Sequence, residues 1–207
     1  MVPAVMARLS SAMAGKKIDF YWEIGSTNSY FAWHLIKPIA ARHDAKLVLH
    51  PVNLGFVFRH HNYVLMEEPA IKIANRIRDL ERWATRYNLP FRVPDVFPIK
   101  TSCALRASLA MRQWGKEAAF IDALMAAYWE HNDASIVDYA GLRPLAAGLG
   151  IDGAAMERAA ESDAIRQMLI DSTNQALENG VFGVPSFIID GELYWGKDRM
   201  DFIEDAL

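Results

Sequence analysis

The apolar positions along the chain change period twice, and these changes divide it into three parts. Ile18–Ile24 (IDFYWEI) is dense in aromatic and β-branched residues and short enough to be a buried strand. The polar cluster Gly25-Ser26-Thr27-Asn28-Ser29 follows it and reads as a strand-to-helix turn. From Tyr30 the apolar residues Phe31, Ala32, Leu35, Ile36, Ile39 and Ala40 recur at helical spacing, and Lys46–Pro51 (KLVLHP) alternates as a second strand. Together these elements make a βαβ unit. Pro69 opens a long helical pattern through Ile71, Ile73, Ile77, Leu80, Trp83 and Tyr87, which Leu89-Pro90 ends. After a Pro-rich loop, Thr101–Trp114, Lys116–Trp129, Ile136–Leu149 and Gly153–Glu178 read as further helices. Beyond Gly180 the strand period returns. Val184–Asp190, Gly191 and Glu192–Trp195 predict strand, tight turn and strand, and Asp198–Leu207 predicts a closing helix.

The two outer parts must meet to form one sheet. A helical block set between the halves of an α/β unit predicts an α/β, thioredoxin-like fold with a large inserted all-helical domain. The boundaries fall at 18–66 and 180–207 for the thioredoxin-like domain and 67–179 for the insertion. Residues 1–17 carry an Arg, two Lys and no acid, with no continuous apolar stretch, and read as a disordered extension rather than a presequence. Ligands of such folds bind near strand carboxyl ends and helix N-termini, so the crevice between the two domains is the expected site.

Composition narrows the function classes. Hydrophobic residues make up 52% of the 207, charged residues 23%, and the net charge is −3. That balance excludes general disorder and provides no basic footprint for nucleic acid. No apolar run approaches the roughly 20 residues needed to span a bilayer, so a soluble, cytoplasmic protein with no membrane partner is expected. A small, neutral or partly apolar ligand suits it better. The single cysteine, Cys103, excludes an internal disulfide framework, a CxxC redox pair and a multi-cysteine metal site. Within its helical run it reads as a small buried hydrophobe.

Three places could carry chemistry. Ser26 stands at or just before the first helix, where its hydroxyl and nearby N–H groups face the positive end of the helix dipole. The same residue types also make ordinary helix caps, and spacing alone does not choose between the two roles. Val184-Pro185 opens an apolar strand, where proline removes a ladder donor; a strand-initiating trans proline and a cis peptide both fit. Asp198 lies near the start of the last helix, between Lys197 and Arg199. His60-His61 lacks an acidic or cysteine partner at ligand spacing, so no metal is expected, and His34 reads as structural.

Taken together, these residues resemble the 2-hydroxychromene-2-carboxylate isomerases, which group with kappa-class glutathione transferases and DsbA-like proteins. The likeness is carried by IDFYWEIGSTNSYFA at 18–32, KIANRIRDLERWATRYNLP at 72–90, GVFGVPSFIIDGELYWGKDRM at 180–200 and the helical block that links them. It implies glutathione as cofactor. Ser26 falls where the family's serine lies close to the glutathione sulfur. Val184 and Pro185 fall on its cis-proline segment, where the Val184 backbone would pair with the cysteinyl part. Lys72 matches the family's lysine on the first inserted helix, Asn62 an asparagine in the preceding loop, and Lys197 and Asp198 the γ-glutamyl end. In this reading Ser26 stabilises a thiolate, and Lys72 or Asn62 orients the glutathione or the carboxylate of a small, ring-opened aromatic acid. The implied reaction is isomerisation. Conjugation of electrophiles, as in a kappa-like transferase, and non-catalytic glutathione binding are the alternatives, and a homodimer is left open. The chain departs from the family at Thr27-Asn28, where Pro and an aromatic are usual, and at Asn75, where an aromatic is common.

Overall fold

The computed structural model describes residues 15–64 and 67–207. Residues 1–14 of the expected extension lie outside the described residues, whereas Lys17 at its end already pairs with Lys46 as the first residue of β1. β1 is Lys17–Trp22, α1 Thr27–Arg42 and β2 Lys46–Pro51, and the two strands run parallel in register from Lys17↔Lys46 to Trp22↔Pro51. β3 (Ser186–Ile189) lies antiparallel on the other side of β1, and β4 (Glu192–Trp195) follows as a hairpin, giving the sheet order β2-β1-β3-β4. The hairpin turn is Asp190-Gly191, with φ of 51° and 87°. Two successive positive φ values suit the twist of the flanking strands, which is why Asp-Gly stands there. The predicted βαβ unit and hairpin therefore share one sheet.

Alternation along β1 decides which side meets which layer. Ile18, Phe20 and Trp22 enter the main core, where Phe20 stacks on Phe187 at 4.9 Å and on Trp33 of α1 at 6.1 Å. Tyr21 points to the opposite face and joins Val52, Val181, Val184 and Ala176 in a smaller cluster, its hydroxyl accepting from Asn179 at 2.9 Å.

Between β2 and β3 run α2 (Leu54–His60), α3 (Ala70–Tyr87), α4 (Ser102–Ala110), α5 (Glu117–Trp129), α6 (Tyr139–Gly148), α7 (Gly153–Ala160) and α8 (Asp163–Glu178); α9 (Met200–Asp205) closes the chain. The main core is continuous from the sheet into this block, reaching Leu124, Tyr128 and Met156. Three local features differ from the periodicity. α2 is short and starts at Asn53, whose side chain accepts from the Phe56 N–H, and its mixed exposure hides it from a pattern search. The predicted helix 136–149 breaks at Asp138, which is extended and caps α6 through the Ala140 and Gly141 N–H groups. Gly141 is required there, because a Cβ would lie 2.1 Å from the Ser135 carbonyl oxygen. The predicted helix 153–178 breaks at Ser162, which caps α8 through the Ile165 N–H. Apolar periodicity runs straight through both caps because each helix pair covers the same core.

The end of β1 buries a carboxylate. Glu23 is 5% exposed; its Oε2 accepts from the Gly25 N–H at 2.8 Å, and its Oε1 has no partner among the described residues. Burial lifts this carboxyl from the usual 4.5 to about 7, against the smaller opposing pulls of the Thr101 hydroxyl and the Gly25 N–H. A raised carboxyl pKa favours the fold while the group is protonated, and stability falls as pH rises from 4.5 to about 7. We predict that Glu23→Gln, neutral throughout, removes up to about 3 kcal/mol of this pH-dependent loss. Denaturant midpoints of both proteins across this window check it. Parallel curves would show that Glu23 titrates normally in the fold.

Candidate active site

Ser26 is the N-cap of α1, with extended φ/ψ of −92° and 116°. Its Oγ accepts from the Ser29 N–H at 3.2 Å and donates to the Val184 carbonyl at 3.4 Å. The cap is therefore real, and its hydroxyl proton is held by a long bond that a better acceptor can take over. One further turn contact fixes the residue: its own N–H donates to the Glu23 carbonyl at 3.1 Å. The amide N–H groups of Thr27 and Asn28 make no hydrogen bond among the described residues. They belong to the orphan donors that every helix N-terminus leaves. A proline at position 27 would have removed one of them, so the replacement by threonine gives this helix end an additional donor.

Helical residues hold the turn from behind. The buried Trp129 indole on α5 donates to the Ile24 carbonyl at 2.8 Å. Thr101, just before α4, puts its Cγ2 3.4 Å from where a Gly25 Cβ would stand, and Glu23 Oε2 is 2.8 Å from that same point. Glycine at 25 is thus the only residue that leaves the carboxylate in place. α1 itself is tied to α5 through Tyr30 Oη to Glu130 at 2.9 Å and Trp33 Nε1 to Asp122 at 2.6 Å.

The Val184–Pro185 peptide is cis, as the family resemblance implied, and Phe97–Pro98 is a second cis bond that the sequence analysis did not single out. Val184 is buried, its carbonyl turned to Ser26, and its N–H is unpaired among the described residues. Next along the same face, Gly196 donates to the Pro185 carbonyl at 3.0 Å, and a Cβ at 196 would lie 2.6 Å from Asp198 Oδ1. Hydrogen bonds therefore join Ser26 to Val184 and Pro185 to Gly196, and Asp198 stands two residues further on, paired with Arg199 at 2.9 Å. Lys197 and Asp198 line one concavity with Trp83 of α3, and the Lys197 Nζ lies 4.6 Å above the Trp83 ring, where burial lowers its pKa.

Lys72 and Asn62 are not drawn into this cluster by any hydrogen bond or ion pair among the described residues. Lys72 Nζ is paired with Glu68 at 2.7 Å, and Arg76 shares that carboxylate. Asn62 is exposed beyond α2 with a φ of 53°. His60 and His61 are exposed and no metal-ligating group of three occurs among the described residues. His34 packs edge-on against Tyr30, 3.8 Å from Glu130, with burial lowering its pKa. Cys103 is half-buried on α4 beside Arg106, away from the Ser26 turn in sequence, and the head of α1 carries a hydroxyl and no thiol. Sequence reasoning missed Glu23 and Thr101. The acid in an otherwise apolar strand run was the available signal for Glu23, while nothing local marks Thr101.

The family model of the DsbA-like thioredoxin domain matches residues 17–207. A 2-hydroxychromene-2-carboxylate isomerase of Sphingobium xenophagum is 30% identical over 195 residues, covering 93% of this chain and 98% of that protein. One of Pseudomonas sp. (strain C18) is 29% identical over 92% of this chain and 89% of its own length. A solved structure of a 2-hydroxychromene-2-carboxylate isomerase superposes with a TM-score of 0.81 at 26% identity, covering 92% of this chain and 93% of that one. The crystal structure of a probable DsbA oxidoreductase from Streptomyces coelicolor, at 18% identity and a TM-score of 0.78, shares the fold. Across nearly its whole described length, then, this chain belongs to the DsbA-like thioredoxin-domain family and, within it, to the 2-hydroxychromene-2-carboxylate isomerase family of enzymes.

Proposed function

We propose that this enzyme is a glutathione-dependent cis-trans isomerase of 2-hydroxychromene-2-carboxylate or a closely related ring-opened aromatic acid. The observation that carries the reading is the Ser26 hydroxyl beside the free Thr27 and Asn28 N–H groups and the unpaired Val184 N–H. These residues fit glutathione. The extended cysteinyl backbone would pair with Val184, the sulfur would meet the Ser26 hydroxyl, and Asp198 would receive the γ-glutamyl ammonium. Lys72 would have to leave Glu68 to reach a ligand carboxylate. Bound glutathione would supply a thiolate able to add reversibly to a conjugated double bond and so permit rotation about it.

What the chain itself must do is stabilise that thiolate. A free thiol with a pKa near 8.5 is only a few per cent ionised at neutral pH, and a two-unit depression corresponds to about 2.7 kcal/mol. A hydroxyl donating to a charged acceptor supplies about 1.5–3 kcal/mol and a helix N-terminus about 0.3–1 kcal/mol. Ser26 at the head of α1 therefore suffices without a cationic side chain. The buried turn keeps Ser26 in position, and its 8% exposure limits competition from water.

Two outcomes are expected. Ser26→Ala should lower kcat/KM for glutathione-dependent isomerisation about tenfold to hundredfold at neutral pH while leaving the fold intact, since loss of the cap itself costs about 1 kcal/mol. Full retained activity would remove Ser26 from the mechanism, and net consumption of glutathione during turnover would mark a transferase instead. Thr27→Pro should preserve α1, because proline is favoured at the first helical position, and raise the pKa of bound glutathione by about one unit through the lost N–H. Titration of thiolate ultraviolet absorbance in the complex measures it. An unchanged value would place the sulfur out of reach of that donor.

A further inference from the structure

A second concavity, of about 310 Å³, lies between α2, α4 and α8. Its size sits at the lower end of the range for small-molecule sites. Two of its lining residues tie it to the carboxyl ends of β1 and β2. Ser102 on its wall directly follows Thr101, the residue that packs on Gly25 and Glu23, and Asn53 on its rim follows the carboxyl end of β2. The walls are of two kinds. Phe56, Leu169 and Ile170 are apolar, and Phe56 and Ile170 are 42% and 51% exposed, so a ring entering the concavity would cover apolar surface on two sides. Arg106 and Arg166 are the only ionisable side chains lining it, among the described residues.

Both guanidiniums converge on one carboxylate. Arg106 Nη2 donates to Glu161 Oε1 at 2.8 Å, and Arg166 pairs with the other oxygen of Glu161, leaving two cations against one anion. Arg106 makes all its hydrogen bonds through Nη2, to Glu161, Tyr139 Oη and Cys103 Sγ. Its Nε is buried without a partner among the described residues. A buried donor left unpaired costs about 1–3 kcal/mol, and a guanidinium in that condition fits an acceptor supplied from outside the chain. The planar fork of Arg matches a carboxylate, and the apolar walls match a ring.

We propose that this pocket receives the carboxylate-bearing ring of the aromatic acid, with Arg106 as the specificity-determining contact to the carboxylate and Phe56 and Ile170 flanking the ring. The assignment rests on the isomerase reading above, but the pocket's chemistry is independent of it. Lys72, already paired with Glu68, is released from the role of carboxylate ligand.

The test uses the full chain and three probes: benzoate, its neutral isostere benzamide, and acetate, which lacks the ring. Calorimetric titration should show benzoate binding at least tenfold more tightly than either of the others. Ile170→Asp, at an exposed rim position that leaves the core untouched, should weaken benzoate at least tenfold with an unchanged Tm. It should also raise KM for 2-hydroxychromene-2-carboxylate at least tenfold while kcat and glutathione affinity stay within about twofold. Arg106→Met should abolish the preference of benzoate over benzamide. The pocket assignment fails if benzoate does not bind, if acetate binds as well as benzoate, or if Ile170→Asp changes neither benzoate affinity nor KM. Failure of the isomerase reading looks different: the wild-type chain would leave the chromene acid unturned, yet benzoate would still bind and still be lost in Ile170→Asp.

Discussion

The hydrogen bond from the Trp129 indole to the Ile24 carbonyl is the point on which the site depends. Ile24 lies just beyond β1, where the strand ladder has stopped supplying partners, and an unpaired buried carbonyl there would be costly. Its donor comes from α5, over a hundred residues later in the chain, so the turn is completed only when the helical insertion has docked. Glu23, one residue earlier, is held in the same way by Gly25 and the Thr101 side of the insertion. The Ser26 hydroxyl then reaches Val184 in the C-terminal part. Three distant segments therefore meet around four consecutive residues, and the rigid placement of Ser26 follows from that convergence.

Under the proposed glutathione dependence, this construction would let a helix N-terminus without a thiol serve thiol chemistry. A redox cysteine needs its own sulfur to be stabilised as an anion, whereas here the sulfur would come with the ligand and the chain would supply only donors. A hydroxyl and free amides do that without reacting. Thr27, standing where the resemblance implies a proline, keeps an amide donor at the same helix end, and Asn28 stands where the resemblance implies an aromatic. Lys197 caps the Trp83 ring and so ties the segment before α9 to α3, while Asp198 beside it pairs with Arg199.

Charge is used sparingly near Ser26 and liberally around the neighbouring pocket. Glu23 is shielded and, with its pKa raised to about 7, only about half ionised at neutrality, so it adds less repulsion against an anionic ligand than an ordinary carboxylate. Glu161 draws Arg106 and Arg166 together and fixes their geometry without cancelling their joint charge. A neutral set of donors for the sulfur and a cationic set for an acid could thus sit side by side at one end of the sheet.

Period and residue type in the sequence were enough for the fold class. The strand β2 occupies the same residues that KLVLHP predicts, and the Asp190-Gly191 hairpin is written in a local code that tolerates two positive φ values. The placement of Ser26 at the first helix was legible for the same reason, since caps are short-range. Helix breaks at Asp138 and Ser162, the short α2 and the partners of Glu23 were not, because each depends on what a residue touches across the fold rather than on its neighbours in the chain. The pocket beside Ser102 is the clearest case. Arg106, Arg166 and Phe56 lie on three helices separated by tens of residues, and no periodicity announces that α2, α4 and α8 converge. Local sequence determines backbone preferences and apolar faces; only tertiary packing decides which polar atoms find partners and which, like Arg106 Nε, are left without one among the described residues.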